Sequence, residues 1–290
     1  GIIACLIMWM FYLLNILIQM KIILNNHDLS KTLGPFNDIG FVPTMGGIHK
    51  GHISLIKRSI KSNKKTIVSI FINPKQFNSV KDFKSYPANI KKDLAILKKI
   101  KKLDFVYIPR FKDVYENKKI SKIKIEKKYR ILCAKYRKGH FEGVLDVMNR
   151  LTKLIKPNKI FMGKKDFQQL FLVKKFIENK FNTKVIGCKT IRSKNKLALS
   201  SRNFLFKKYE LNDVEKISKN FLNLKNKIKY IKNINQFLQK TKKDFERFFD
   251  IKIEYLENRD INDLSISNEY HKSKIFLAYY YKSVRLIDNF

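Results

Sequence analysis

The most informative stretch of the chain is Pro43-Thr44-Met45-Gly46-Gly47-Ile48-His49-Lys50-Gly51-His52. It follows the apolar run from Ile39 to Val42, which predicts a buried strand, and it precedes apolar residues at helical spacing. We therefore expect a strand-to-helix turn at the carboxyl end of a strand in an open α/β sheet, where ligands bind. The following helix would present unpaired N–H groups and the positive end of its dipole to an anion.

The glycines and histidines of this stretch suit a phosphate ligand. Gly46, Gly47 and Gly51 remove side chains that would hold a ligand away from the backbone. His49 and His52 are three residues apart, so both imidazoles would project from one side of the first helical turn. Neutral or cationic donors beside such a backbone fit a polyphosphate whose charge grows during transfer. Two alternatives stay open: surface histidines, and a zinc site, although no cysteine or carboxylate lies close in sequence.

Length and charge limit the class of protein. The chain has 290 residues, 44% of them hydrophobic, which excludes a disordered chain and suffices for one large or two moderate domains. Lys and Arg number 62 against 24 Asp and Glu, a formal net charge of +38 that would attract nucleic acid or anionic lipid. The lysines are spread along the whole chain with abundant Ile, Asn and Phe, which favours drift toward A/T-rich codons. A functional basic surface is the alternative.

The cysteines and the first residues bear on the compartment. Cys5, Cys133 and Cys188 form no Cys-x-x-Cys pair or disulfide framework, which indicates a reducing compartment. Residues 1–19 carry no charge and are almost wholly apolar, near the lower limit of a membrane span, ~17–25 residues. A cleaved signal peptide fits poorly, because no basic region precedes them and no small-residue cleavage site follows. We interpret them as an extension upstream of a true start at Met20, with a membrane anchor as the alternative.

From Met20 onward, apolar β-rich runs alternate with helical patterns. Strands are predicted at Ile39–Pro43, Thr66–Ile72, Phe105–Ile108, Lys159–Met162 and Lys184–Cys188, and helices at 51–62, 87–101, 143–156 and 166–180. This alternation predicts a parallel sheet with right-handed crossovers. After Thr190 the pattern changes to a long Lys-rich helix over 208–249, followed by strands at 251–256, 274–281 and 284–287. We therefore predict an α/β domain over 20–190 and a smaller α+β domain over 191–290.

A second string places an amide near the first turn. It reads Val68-Ser69-Ile70-Phe71-Ile72-Asn73-Pro74-Lys75-Gln76-Phe77. The strand is expected to end at Asn73, because the residue before proline is extended and proline cannot donate to a ladder. Gln76 would then lie on a loop at the carboxyl end of a strand, close to the first turn if the strands are neighbours. An amide accepts from a hydroxyl and donates to a carboxylate, which suits a hydroxy acid; a merely solvated Gln is the alternative.

Three more strings follow strands or precede helices. Phe161-Met162-Gly163-Lys164-Lys165-Asp166-Phe167-Gln168-Gln169-Leu170 puts Lys165 at a helix N-terminus that favours phosphate, with Asp166 as a candidate N-cap. The string Arg137-Lys138-Gly139-His140-Phe141-Glu142-Gly143-Val144 precedes a helix, and we assign no chemistry to it. Ile191-Arg192 and Leu199-Ser200-Ser201-Arg202-Asn203 offer two hydroxyls and a guanidinium, which suit bidentate contacts to a departing pyrophosphate.

Taken in order, these strings resemble the pantothenate synthetase (pantoate–β-alanine ligase) family of the nucleotidylyltransferase superfamily. The first is similar to its Pro-Thr-Met-Gly-x-x-His-x-Gly-His motif, and the Ser-Ser-Arg string to its second nucleotide loop, the counterpart of the Lys-Met-Ser-Lys-Ser loop in class I aminoacyl-tRNA synthetases. Met20-Lys21-Ile22-Ile23 resembles the family's start, and Val284-Arg285-Leu286-Ile287-Asp288-Asn289 its ending. The chain departs from the family at Cys133-Ala134, where Glu-Gly is usual, and at Lys194-Asn195-Lys196, where a Gly is often found.

The resemblance implies a Rossmann-like nucleotidylyltransferase domain, a C-terminal lid domain and a cytoplasmic homodimer. The implied reaction condenses pantoate with β-alanine through a pantoyl adenylate, using ATP and Mg²⁺ and releasing AMP and pyrophosphate. His52 and His49 would be catalytic. The implied ATP-binding residues are Met45, Gly46, Gly47, Ile48, His49, Lys50, Gly51, His52, Gly163, Lys164, Lys165, Asp166, Ile191, Leu199, Ser200, Ser201 and Arg202. Gln76 and Gln169 would bind pantoate, Gln76 would also lie near β-alanine, and Asp93 is a candidate magnesium ligand, unless it is simply a helix residue.

A competing hypothesis, motivated by the +38 charge, is an RNA-binding protein that kept this fold while its chemistry decayed. The strings around Gln76 and Gln169 argue against it, since they serve a small acid rather than RNA. We therefore expect the partners to be pantoate, β-alanine and ATP, with no specific nucleic acid. No membrane is expected unless residues 1–19 are an anchor.

Overall fold

The structure is a computed structural model that describes residues 20–116 and 123–290. The interpretation of residues 1–19 as an upstream extension or an anchor concerns residues outside these ranges. Within the described ranges, no helix combines the length and the apolar character that crossing a bilayer requires.

The larger sheet has six parallel strands. They are β1 (Lys21–Ile23), β2 (Ile39–Thr44), β3 (Lys65–Ile70), β4 (Phe105–Tyr107), β5 (Lys159–Gly163) and β6 (Lys184–Cys188), in the order β1-β4-β3-β2-β5-β6. The five predicted strands are confirmed, with ends shifted by no more than a few residues. The short β1 was missed because it is too short to show a period. The prediction that the second strand continues to Asn73 is wrong: β3 ends at Ile70, and the Asn73 side chain caps a 3₁₀ turn over Pro74–Gln76.

Helices connect these strands and cover both faces of the sheet. They are α1 (Asn26–Leu33), α2 (Lys50–Ser62), α3 (Val80–Lys84), α4 (Ile90–Leu97), α5 (Phe111–Tyr115), α6 (Cys133–Tyr136), α7 (His140–Ile155) and α8 (Phe167–Lys180). The helix predicted over 87–101 is shorter because Asn89 caps it, accepting a hydrogen bond from the Lys92 N–H at 3.1 Å. The helix predicted over 143–156 begins three residues earlier, directly after Gly139.

Two apolar layers hold the sheet between its helices. On one face, Leu55 and Ile56 of α2 and Leu97 of α4 pack against Val42 and Val68. On the other face, α1, α7 and α8 bury their apolar sides against strand residues that include Phe41, Ile67 and Ile160. Strands buried on both faces read as continuous apolar runs, which is why β2 and β3 were visible in the sequence.

The C-terminal part has two helices and an antiparallel sheet. Its elements are α9 (Lys208–Ile228), α10 (Ile234–Phe249), β7 (Lys252–Asp260), β8 (Ser273–Tyr281) and β9 (Val284–Asn289), with the strands in the order β7-β8-β9. The single helix predicted over 208–249 is wrong, because the chain breaks at 229–233 and Asn233 caps the second helix. The predicted strands are present, and β7 runs four residues further than expected. The boundary at 190/191 stays a prediction.

Each face of this small sheet packs against a different neighbour. Val214, Phe221 and Leu238 of the two long helices cover one face. The other face contributes Tyr255 and Phe276 to the core of the larger sheet. The Phe276 ring meets that of Phe167, at the start of α8, edge-on with centroids 5.6 Å apart. The C-terminal sheet therefore lies directly against the strand-to-helix connection that follows β5.

Candidate active site

The site lies where the strand order of the larger sheet reverses. From β2 the chain proceeds to β3 and β4 on one side, whereas β5 and β6 lie on the other. In open α/β sheets this reversal opens a crevice at the carboxyl ends of the strands. A cavity of about 830 Å³ lies there, and β8 and β9 also contribute to its wall.

Most of the predicted site residues line this cavity. They are Met45, His49, Gly51, His52, Gln76, Gly163, Lys165, Asp166, Gln169, Ile191, Leu199, Ser200, Ser201 and Arg202. The other predicted residues, Gly46, Gly47, Ile48, Lys50, Lys164 and Asp93, are not in its wall. Of these, Lys50 and Lys164 are exposed, and Ile48 is a core residue with 2% of its surface accessible.

The turn after β2 needs its glycines and is held by Asp93. Gly46 and Gly47 have φ angles of +79° and +63°, which side-chain-bearing residues rarely adopt. The Asp93 carboxylate, 3% exposed, accepts hydrogen bonds from the N–H groups of Gly47 at 2.9 Å and Ile48 at 2.8 Å. Both oxygens of Asp93 accept from the backbone and Asp93 is not in the cavity wall, so its side chain keeps this turn in shape. Its role as a magnesium ligand stays a prediction.

The two histidines are neutral donors. The Nδ1 atom of His49 accepts from the Gly51 N–H at 3.0 Å, and that of His52 accepts from the His49 N–H at 3.3 Å. Burial, followed by the positive charge of Lys165, lowers the pKa of His49 to about 4. Burial, with His49 and Lys165 adding to it, lowers the pKa of His52 to about 3. At neutral pH each ring therefore carries its proton on Nε2, so the cationic form that the sequence left open does not apply.

The lysine turn approaches the histidines from β5. Residues Lys164–Asp166 form one 3₁₀ turn between β5 and α8. The side chain of Lys165 is 15% exposed, and its Nζ lies 3.6 Å from the Asp166 carboxylate. Asp166 occupies the N-cap position of α8, as predicted, but its side chain makes no capping hydrogen bond. Its carboxylate lines the cavity instead.

The predicted amides reach the cavity by different routes. Gln76 is 8% exposed, and its side-chain oxygen accepts from the Asn73 amide at 3.2 Å. Of the paired glutamines, Gln168 turns away and donates to the carbonyls of Tyr129 at 3.1 Å and Ile131 at 2.8 Å. Gln169 is left to line the cavity. The start of α8 is thus anchored by one glutamine while the other faces the site.

The Ser-Ser-Arg loop touches the first turn. Ser201 donates its hydroxyl hydrogen to the Gly47 carbonyl at 2.9 Å. A Cβ at Gly47 would lie 2.8 Å from the Ser201 side chain, so the close approach of the two loops requires a glycine at position 47. Arg202 donates to both oxygens of Asp82, at 2.8 and 3.0 Å. This ion pair engages the guanidinium that was expected to face a pyrophosphate.

Several residues of the cavity wall were not among the predicted site residues, although the family resemblance implies that the Arg137–Val144 loop lies near the active site. Asp82, Arg137 and His140 all line it. Arg137 donates to the Nε2 atom of His140 at 3.0 Å, so the Nδ1–H of His140 donates to the Gln76 carbonyl at 2.7 Å. Burial, with the Arg137 charge adding to it, lowers the pKa of His140 to about 3. The Arg137–Val144 string carried the signal, but only the fold brings it against Gln76.

The metal ligands available in the site are few. Across residues 20–116 and 123–290, no group of three or more His, Cys, Asp or Glu side chains could hold a metal ion. The zinc alternative therefore finds no ligand set in the part of the chain that the structure describes. Mg²⁺ can be held by one or two carboxylates together with substrate phosphates, so this finding does not bear on an ion that arrives with a nucleotide.

Comparison with known proteins agrees with this geometry. The family model described as pantoate-beta-alanine ligase matches residues 20–290. The chain is 37% identical over 276 residues to a pantothenate synthetase of Flavobacterium psychrophilum, covering 90% of this chain and 96% of that protein. It is 38% identical over 271 residues to the pantothenate synthetase of Francisella tularensis subsp. novicida, covering 91% and 93%.

Solved structures share the fold. A pantoate-beta-alanine ligase from Francisella tularensis, crystallised in complex with beta-gamma ATP and beta-alanine, superposes with a TM-score of 0.79 at 34% identity, covering 93% of this chain and 97% of that one. A pantothenate synthetase from Thermus thermophilus superposes with a TM-score of 0.82 at 27% identity, covering 93% and 99%. With the family match over residues 20–290 and these relatives, the chain belongs to the pantoate–β-alanine ligase family.

Proposed function

We propose that this protein condenses pantoate with β-alanine to form pantothenate, with ATP converted to AMP and pyrophosphate through a pantoyl adenylate. The observation that carries the proposal is the composition of one cavity wall. It combines neutral imidazoles, a half-buried lysine and a Ser-Ser-Arg loop with the two amides Gln76 and Gln169. The Francisella relative, crystallised with beta-gamma ATP and beta-alanine, supports the same ligands for this chain.

The first step asks mainly for positioning and charge stabilisation. A pantoate carboxylate oxygen attacks the α-phosphorus of ATP, and the bond to the departing pyrophosphate breaks. His49 and His52 would donate Nε2–H hydrogen bonds to the phosphates, and Lys165 would place a full positive charge beside them. Ser200 and Ser201, which also line the cavity, would contact the same phosphates.

The second step forms the amide. The β-alanine amine attacks the acyl carbon of the adenylate, the bond to the AMP oxygen breaks, and the amine loses a proton. Gln76 would orient pantoate from one side and Gln169 from the other, with β-alanine beside Gln76. An acyl adenylate is readily hydrolysed, so water has to be excluded. We assign this role to the C-terminal part over 191–290, which already supplies part of the cavity wall and would act as a lid.

Magnesium, the assembly and the compartment complete the proposal. Mg²⁺ would accompany ATP and be held mainly by its phosphates, since Asp93 is already used by the backbone. By family resemblance the protein would be a homodimer. The two free cysteines among the described residues, Cys133 and Cys188, suit a reducing cytoplasm.

The test separates adenylate formation from amide formation. With pantoate, ATP and Mg²⁺ but without β-alanine, the protein should exchange labelled pyrophosphate into ATP. His52→Ala should lower the exchange rate about 100- to 1000-fold, the effect of removing one preorganised donor. His27→Ala, at an exposed position on α1, is the matched control and should exchange normally. Exchange that requires β-alanine, or normal exchange by His52→Ala, would contradict the proposed mechanism.

A further inference from the structure

The last strand of the C-terminal sheet holds the lysine turn by its backbone. The Asn289 side-chain amide donates to the carbonyl of Lys164 at 2.8 Å and to that of Lys165 at 2.7 Å. Asn289 is 3% exposed and pairs with Phe276 of β8. A buried amide that spends both its N–H groups on two successive carbonyls fixes the path of that turn.

The turn has few other restraints of its own. It consists of the three residues Lys164–Asp166, and the Asp166 side chain makes no capping hydrogen bond. Gly163, the last residue of β5, still pairs with Cys188 of β6, so the restraint by the sheet ends where the turn begins. Lys165 nevertheless has to bring its ammonium group beside the two histidines, whose pKa values its charge lowers.

Asn289 is itself held by the loop that carries the second set of phosphate-binding residues. Arg192 donates to both oxygens of Asp288, at 2.6 and 2.8 Å, and to the Asn289 carbonyl at 3.3 Å. Arg192 also forms a β-bridge with Ala198, just before Ser200 in the chain. The same stretch of β9 therefore connects the lysine turn to the Ser-Ser-Arg loop.

We propose that Asn289 is a positioning residue for adenylate formation, which sets Lys165 in place by holding the Lys164 and Lys165 carbonyls. The inference rests on the proposed function and adds to it a residue that never needs to touch a substrate. It also implies that displacing β9 would release the backbone that positions Lys165. The position of the C-terminal sheet would therefore determine whether Lys165 is in place to bind phosphate.

The structure predicts which substrate the loss would affect. Gln169 follows the lysine turn closely, but the start of α8 is anchored separately by Gln168 on the carbonyls of Tyr129 and Ile131. Loss of the Asn289 contacts should therefore displace the Lys165 ammonium more than the Gln169 amide. ATP use should suffer and pantoate use should be largely spared.

The experiment replaces the amide and compares it with a matched buried amide. Asn289→Leu removes both donors at similar volume, and Asn289→Ser keeps one. The control is Asn258→Leu in β7, where a fully buried amide donates to the Ser267 carbonyl at 2.9 Å and to the Ser273 hydroxyl at 2.8 Å, away from the cavity. The measurements are pyrophosphate exchange at varied ATP and pantoate, and thermal unfolding.

For Asn289→Leu we expect kcat/KM for ATP to fall about 10- to 100-fold, the size of a small misplacement of a catalytic group. The KM for pantoate should change less than about threefold, because its binding groups stay in place. Asn289→Ser should lose less, and Asn258→Leu should lose stability but keep both kinetic constants. The inference is overturned if Asn289→Leu matches the unmodified protein or Asn258→Leu, or if only the Asn289 variants fail to fold. Lack of exchange by the unmodified protein would instead contradict the proposed function.

Discussion

Arg202 and Asp82 form a two-point ion pair in the cavity wall, with nitrogen to oxygen distances of 2.8 and 3.0 Å. Burial by itself raises the pKa of Asp82, but the hydrogen bond and charge of Arg202 outweigh it, so the net pKa lies below its ordinary value. The carboxylate is therefore ionised at neutral pH. A triphosphate that uses Arg202 has to compete with Asp82 or share the guanidinium with it.

Asp82→Asn should strengthen ATP binding. The substitution removes a competing negative charge from the cavity wall and frees the guanidinium of Arg202. Partly exposed ion pairs contribute about 0.2–1 kcal/mol, so the dissociation constant for ATP should fall about 1.4- to 5-fold. Isothermal titration calorimetry would measure it. Glu126→Gln removes one charge from an exposed ion pair with Lys175 and serves as the control. Weaker ATP binding by Asp82→Asn would mean that Asp82 orients Arg202 rather than competing for it.

Asp93→Asn should damage the turn without changing the magnesium requirement. The Asp93 carboxylate accepts hydrogen bonds from the N–H groups of Gly47 and Ile48. In the variant, the amide nitrogen would face one of these two N–H groups and could not accept its hydrogen bond. Hydrogen bonds to a charged group contribute about 1.5–3 kcal/mol, so the free energy of unfolding should fall by about that amount. ATP binding should weaken because the turn loosens. The Mg²⁺ concentration that gives half-maximal exchange should not change. A large increase in that concentration would indicate that Asp93 binds the metal.

Gly143→Ala should act on pantoate through Gln76. A Cβ at Gly143 would lie 2.3 Å from the Lys75 carbonyl oxygen and 2.9 Å from the Gln76 Cα, so the loop would have to move. We expect the KM for pantoate to rise about tenfold or more, since small displacements of positioning groups have effects of that order. Gly139→Ala is the control on the same segment. A Cβ at Gly139 would meet nothing within 4 Å. Because the φ angle there is +77°, we expect this variant to lower stability without changing the KM for pantoate.

Three histidines with lowered pKa values should make stability fall as the pH drops through about 6.5. His49, His52 and His140 have folded-state pKa values of about 4, 3 and 3, against 6.5 for an unperturbed histidine. Between pH 6.5 and 4 the unfolded chain therefore binds protons that the folded chain does not. Each such proton lowers the free energy of unfolding by up to about 1.4 kcal/mol per pH unit.

Urea unfolding at about pH 7.5, 6 and 5 would measure this slope. His52→Gln should make it shallower, because one titrating group is lost. Well above pH 6.5 the three rings are neutral in both states, so stability should be insensitive to them there. A pH dependence of adenylate formation between about pH 6 and 8 that disappears in His52→Gln would contradict the neutral donor.

The fold was largely visible in the sequence because its signals are local. β2 and β3 are buried on both faces and read as continuous apolar runs, and the glycines after β2 sit where the backbone needs positive φ. The Gly163-Lys164 step marks where the chain leaves β5, whereas Asn73-Pro74 marks a 3₁₀ turn that begins after β3 has ended at Ile70. One local pattern gave a wrong prediction. The helical spacing of apolar residues continues across 229–233, so the break between α9 and α10 was missed.

The candidate site shows the same division. The strings containing His49, His52, Lys165 and Ser201 could be picked out from residue type and spacing, since each follows a strand or precedes a helix. The contact of Asp93 with the turn could not be predicted, because nothing near it in sequence indicates that it meets the backbone of Gly47, 46 residues away. The role of His140 was hidden for the same reason.

Local sequence signals were thus sufficient for the class of fold, the order of the strands along the chain and most of the residues that line the cavity. Tertiary packing decided which polar side chains bind other parts of the protein. Asp93 binds the turn after β2, Asp82 binds Arg202, Gln168 binds two carbonyls and Asn289 binds the lysine turn. The physical reason is that strand and helix signals act over a few residues, whereas a buried polar group takes whichever partner the packing brings to it.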